Sequence, residues 1–127
     1  MKTTSILTSL VAVLGMTTSV SADCFKSGEE WSNKDTALAN ARKACAEGGL
    51  SGSYEPLQRK RACYVHTGRN QKHEFNIYNK NKNDVKSITV DNCALLLSRE
   101  INGCKHGGRR TEGDWEATSD PNAGAQC

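Results

Sequence analysis

The chain has 127 residues, six of them cysteine, and a formal net charge of +3. That charge is too small to imply nucleic acid or an anionic membrane as an obligatory partner, and the length leaves room for one domain. No internal repeat occurs, which excludes solenoids and arrays.

Residues 1–22 read as a secretory leader: Lys2 is the positive start, Ile6 to Met16 is a short apolar stretch, and Val20-Ser21-Ala22 ends in small residues. Cleavage is expected after Ala22, leaving residues 23–127 as a secreted, extracellular domain. The stretch is too short and too rich in Ser and Thr for a membrane span. After Ala22 the chain carries 16 basic and 14 acidic side chains, a balance of +2.

That part is poor in large apolar residues, with six Leu, three Ile, three Val and two Phe. All six cysteines lie in it: Cys24, Cys45, Cys63, Cys93, Cys104 and Cys127. None has the short spacing of a zinc site or a redox pair, so three disulfides are expected to supplement a thin core. Fifteen pairings exist in principle. Cys93 and Cys104 bracket most of a predicted helix, which holds them too far apart to bridge, and twelve pairings then remain.

The first predicted helix opens at Ser32-Asn33-Lys34-Asp35, read as a capping box with Ser32 as the cap. Leu38, Ala41 and Cys45 form its narrow apolar face, and Gly48-Gly49 ends it. Leu50 to Glu55 is a weak strand candidate. Lys60 to Thr67 alternates as a strand, and Thr67 to Asn70 is a turn. His73 to Asn79 sets His73, Phe75 and Ile77 against Glu74, Asn76 and Tyr78, the pattern of a half-buried strand.

A polar loop follows from Asn79 to Asp84. The second helix starts at Thr89 and carries Cys93, Leu96, Leu97 and Ile101 on one face, with Asn102-Gly103 as its stop. Gly107-Gly108 and Gly113 bracket a basic turn. Trp115 to Thr118 is the last predicted strand, and Asp120-Pro121-Asn122 reads as a turn into the final cysteine. The expected fold is α+β: a single disulfide-stapled domain in which an antiparallel sheet packs with two helices.

Three motifs recur around the cysteines. They are Cys24-Phe25-Lys26-Ser27-Gly28-Glu29-x-Trp31, Glu100-Ile101-Asn102-Gly103-Cys104-x-x-Gly107-Gly108, and Trp115-x-x-x-x-Asp120-Pro121-Asn122-x-Gly124-x-x-Cys127. Together the set resembles small secreted fungal glycan-binding lectins of the ink-cap mushroom type, a family of compact α/β sandwiches. The resemblance spans Cys24 to Cys127 and implies binding of complex glycans without catalysis, through pairing of two subunits; the expectation for this chain is a monomer or weak homodimer that binds glycans or glycoproteins. The matching positions are cysteines, glycines, tryptophans and a terminal turn, so the resemblance assigns no sugar contact.

The residues themselves nominate a site. Glu74, Asn76, Tyr78, Asn79 and Asn81 offer a carboxylate, amides and a ring, which suit paired sugar hydroxyls and the apolar face of a pyranose. The competing view is a solvated strand face and an ordinary asparagine-rich turn. Trp115 is a second aromatic candidate, and Trp31 reads as core. Lys105, Arg109 and Arg110 beside Gly107-Gly108 are a candidate anion site.

Two other functions draw on the same sequence. His66, His73, His106, Glu74 and Arg61 contain the residue types of a small secreted ribonuclease, but alternation sends His73 and Glu74 to opposite faces. A secreted effector or toxin-like protein that binds a host surface protein has the same composition. No cofactor, metal, nucleic acid or membrane partner is expected, and no Asn-x-Ser/Thr glycosylation signal occurs.

Overall fold

The computed structural model describes residues 20–127, so most of the expected leader lies outside the described residues. The elements run β1 (Val20–Cys24), α1 (Lys34–Ala46), β2 (Gly52–Tyr54), β3 (Arg59–His66), β4 (Gln71–Asn79), β5 (Lys86–Ile88), α2 (Val90–Gly103), β6 (Gly108–Glu112) and β7 (Trp115–Ala123). Five strands form one antiparallel sheet in the order β1-β6-β7-β4-β3, and β2 pairs with β5 in a second. The fold is the expected α+β, disulfide-stapled single domain.

Strand register decides what faces the helices. In β4, Gln71, His73, Phe75, Ile77 and Asn79 are buried, and the residues between them are not. Each buried position sits opposite Ala123, Pro121, Ser119, Ala117 or Trp115 of β7. Ser119 donates to the Leu97 carbonyl of α2 at 2.8 Å, and Asn40 of α1 meets His73 at 3.0 Å. Both helices therefore lie on one side of the sheet, and its other side is uncovered.

The first helix differs from its predicted face. Ala37, Asn40, Ala41, Ala44 and Cys45 are its buried residues, and Leu38 stands at the margin. Small side chains bring α1 close to α2, where the Cys45–Cys93 bridge joins them. The cap also differs. Asn33, not Ser32, caps α1 by accepting from the Thr36 amide at 2.9 Å. Ser32 is drawn away to His66 and Gln71. α2 begins one residue after its predicted start, with Thr89 as the cap that accepts from the Asn92 amide, and Cys93, Leu96, Leu97 and Ile101 are buried as predicted.

Three strands go beyond the sequence reading. β1 overlaps the last three residues of the expected leader, so cleavage after Ala22 leaves only its Asp23–Arg109 and Cys24–Gly108 pairs. β5 lies between the predicted polar loop and α2, where no element was expected. The predicted basic turn at Arg109-Arg110 is instead β6, a strand held between β1 and β7. Likewise Asp120-Pro121-Asn122 is strand rather than turn. β6 pairs with β7 only as far as Ser119, so Pro121 leaves no ladder bond to β6 unmade.

The bridges are Cys24–Cys104, Cys45–Cys93 and Cys63–Cys127, with Cα–Cα distances of 5.2, 5.9 and 5.8 Å. Cys93 and Cys104 are not paired, as helix geometry required. Gly107 takes a positive φ of 79°, and a side chain there would collide with the Ser119 carbonyl.

Candidate functional site on the uncovered sheet face

Residues on the uncovered face come from alternate positions of β3, β4, β6 and β7. The register sets Arg61, Asn76 and Thr118 in one row, and Cys63, Glu74 and Asp120 in the next. These six residues line a depression of about 360 Å³. Arg59, Tyr78 and Glu116 form the following row. Single-ring ligands fit a hollow of that size.

The charges on this face are organised. Arg59 donates to Asn76 at 2.7 Å, pairs with Glu116 at 3.4 Å, and lies 4.4 Å from the Tyr78 ring centre. Asn122 donates to Glu74 at 2.7 Å. Glu74 and Asp120 stand directly opposite each other, an unfavourable arrangement for two anions. Burial raises the Asp120 carboxyl above its ordinary range against the pull of the Asn122 hydrogen bond, and the Glu74 charge adds to the rise.

Of the five residues nominated from sequence, Glu74, Asn76 and Tyr78 share this face. Asn79 and Asn81 do not join them. Asn79 is fully buried, and its amide donates to the Glu55 and Asp84 carbonyls at 3.0 and 3.1 Å. It ties the loop before β3 to the loop after β4, so its place in the nominated site is corrected to that of a loop anchor. Asn81 accepts from the Asn83 and Asp84 amides and donates to Asp114, which shapes its own turn. Hydrogen bonds from Lys86 and then Asn81 hold the Asp114 carboxyl below its usual range.

Arg61, Thr118 and Asp120 stand outside the five residues nominated for sugar binding. Arg61 enters the sequence reading only among the ribonuclease residue types and Asp120 as turn; pairing with β4 brings them together. Strand alternation in β3 was the one signal that could have placed Arg61 beside Asn76.

The histidines are elsewhere. His73 is fully buried on the helix side, with the Trp31 ring edge-on at 5.2 Å. The Gln71 amide nitrogen donates to the Glu30 carbonyl and to Glu29, so the Gln71 oxygen is an acceptor. His73 Nε2–H therefore donates to it at 3.1 Å, and His73 Nδ1 accepts from Asn40. Burial, and then the charge on His66, lowers the His73 pKa to about 4. His66 bonds Ser32 at 2.6 Å, and His106 donates to the Gly28 carbonyl at 3.0 Å. No histidine among the described residues shares the face of Glu74, so the glutamate–histidine arrangement of a ribonuclease is not assembled.

The basic candidates separate in the same way. Arg110 turns inward and pairs with buried Glu100 at 2.7 Å, while Arg109 is on the uncovered side. Among the described residues, one His/Cys/Asp/Glu group is tight enough for a metal, Cys24, Cys104 and Glu100. Both of its sulfurs are spent in a disulfide.

The three sequence motifs meet in space. Cys24 is bridged to Cys104, and Trp31 donates to the Cys104 carbonyl at 2.9 Å. Gly107 packs under Pro121, and Cys127 closes onto Cys63 beside the depression. Compared with known proteins, the chain matches no described family and no curated protein.

Proposed function

We propose that the protein is a secreted, glycan-binding protein that acts without catalysis and holds its ligand on the uncovered face of the five-stranded sheet. The observation that carries this reading is the depression between Arg61, Glu74, Asn76, Thr118 and Asp120, with Tyr78 one row away. Carboxylates, an amide, a hydroxyl and a guanidinium on a rigid platform suit the paired hydroxyls of a sugar. Arg59 lies against the Tyr78 ring, so the sugar would use the ring's opposite face and its hydroxyl. The motif resemblance to ink-cap lectins supports the same reading, and the three bridges fit an oxidising, extracellular setting.

The test is a glycan array probed with the disulfide-intact chain. Specific retention is expected, and Tyr78→Ala should weaken it by about 1–3 kcal/mol with the thermal transition unchanged. An array without any retained glycan, or equal retention by the folded variant, would overturn the assignment. Cleavage of RNA by the same preparation would replace it with the enzyme reading.

A further inference from the structure

Glu74 and Asp120 stand opposite each other at one end of the depression on the uncovered face, both half-buried. Other acids of the fold are neutralised: Glu100, Glu112, Asp114 and Glu116 are each paired with an arginine or a lysine. Among the described residues, Glu74 and Asp120 have no cationic partner. What they share is the neutral amide of Asn122. The Glu74 charge adds to the rise that burial imposes on the Asp120 carboxyl, so the two groups feel each other.

A second observation points into the same hollow. Thr118 is 7% exposed and lines the depression, and its hydroxyl has no hydrogen-bond partner among the described residues. Polar side chains so far buried ordinarily have one. Thr118 belongs to the next row, with Asn76 and Arg61, about 6.6 Å along the strands at roughly 3.3 Å per residue. The Asn76 oxygen is taken by Arg59, which leaves the Asn76 amide nitrogen as a donor.

The two rows ask for different groups. Facing carboxylates without a cation suit an ammonium, which can donate to both at once. A bound metal ion is the weaker match, because the one group tight enough for it among the described residues excludes Glu74 and Asp120. A hydroxyl, an amide N–H and a guanidinium suit the hydroxyls of a ring. The net charge of the chain does not supply this preference. After Ala22 it has 16 bases against 14 acids, so a cationic saccharide is repelled overall and is held only by the local pair.

We propose that the depression binds a sugar bearing a free amino group, with its ammonium between Glu74 and Asp120 and its hydroxyls on Thr118, Asn76 and Arg61. This inference rests on the glycan reading of the face and names the ligand class.

Titration of the disulfide-intact chain, followed by amide chemical shifts, tests it. The probes are fully deacetylated chitotriose, N-acetylated chitotriose and cellotriose, which share one backbone and differ in one substituent, and butylamine, an amine without a ring. The deacetylated trimer should bind at least about tenfold more tightly than the other three and should move Glu74, Asn76, Thr118 and Asp120. Glu74→Gln and Asp120→Asn each keep the side-chain shape and remove one charge. Both should erase that preference with the thermal transition unchanged, and either serves as the readout if the other unfolds. Equal or tighter binding of a neutral trimer at these residues would overturn the inference and leave the glycan reading standing. Equal binding of butylamine, or a preference that survives in the folded variants, would also overturn it. Silence towards all four probes would overturn it too, and the glycan reading falls with it only if the glycan array is blank as well.

Discussion

The two faces of strand β4 have similar polarity and opposite fates. Gln71, His73 and Asn79 point to the helices, and Lys72, Glu74 and Asn76 point away. On the helix side each of the three polar groups is hydrogen-bonded: Gln71 to Glu30, His73 to Gln71 and Asn40, Asn79 to Glu55 and Asp84. On the open side the groups sit around a depression with charges left to solvent. A polar residue in this chain is therefore structural or ligand-facing according to which way the strand turns it. Residue type alone does not separate the two.

The comparison can be broken at its base by removing the bridges. Three disulfides contribute about 2–4 kcal/mol each, against a net stability of about 5–15 kcal/mol for a domain. Full reduction should abolish the cooperative thermal transition; a transition that persists would show that the apolar core alone is sufficient. Thiol titration of the denatured, unreduced chain should read near zero, since all six cysteines are bridged.

Next in size is the contrast between neighbours. Phe75→Ala opens a cavity under the helices and should cost about 3–5 kcal/mol in denaturant unfolding. Tyr78→Ala, three residues along on the open face, should cost less than about 1 kcal/mol. Comparable losses would contradict the one-sided core.

Acid sharpens the same distinction through His73. Its folded pKa of about 4 lies below its ordinary 6.5, so the unfolded chain binds the proton more readily. The stability it confers is complete above pH 6.5 and is lost as pH falls towards 4. The total is about 3 kcal/mol. The difference in unfolding free energy between wild type and His73→Gln should shrink across that window. A pH-independent difference would mean that the imidazole titrates normally in the fold.

Smaller effects belong to the anchors and the open face. Asn79→Ala leaves two part-buried carbonyls without their donor and should cost about 1–3 kcal/mol, measured by thermal unfolding. Glu74→Gln keeps the hydrogen-bonding shape, removes one of two facing anions and should change stability by less than about 0.5 kcal/mol. The Asp120 pKa, followed by carboxyl carbon shifts, should fall part of the way towards its ordinary value. It should not fall all the way, because burial is the larger cause.

Much of this was legible in the residues. Period-two alternation from His73 to Tyr78 announced which side chains share a face, and the spacing of Cys93, Leu96, Leu97 and Ile101 announced α2 and its buried stripe. What was hidden follows from pairing. Arg109-Arg110 between glycines looks like a turn until β1 and β7 supply ladders on both sides. Asp120-Pro121 looks like a turn until β4 pairs with it and β6 stops short. Asn79 reads as the first residue of a polar loop, yet it continues the buried alternation by one step because two loop carbonyls need its amide.

Local chemistry, then, settled what depends on neighbours in sequence: the existence of two helices, strand period, and the need for three bridges in a chain with few large apolar residues. Tertiary structure alone decided which cysteines pair, that both helices cover one face, and that Cys63 and Asp120 flank Glu74 with Arg61 in the next row. Those facts join positions tens of residues apart. Their register is selected by burying one face of the sheet, because a one-residue slip would exchange Phe75 and Ile77 for Glu74 and Asn76 in the core.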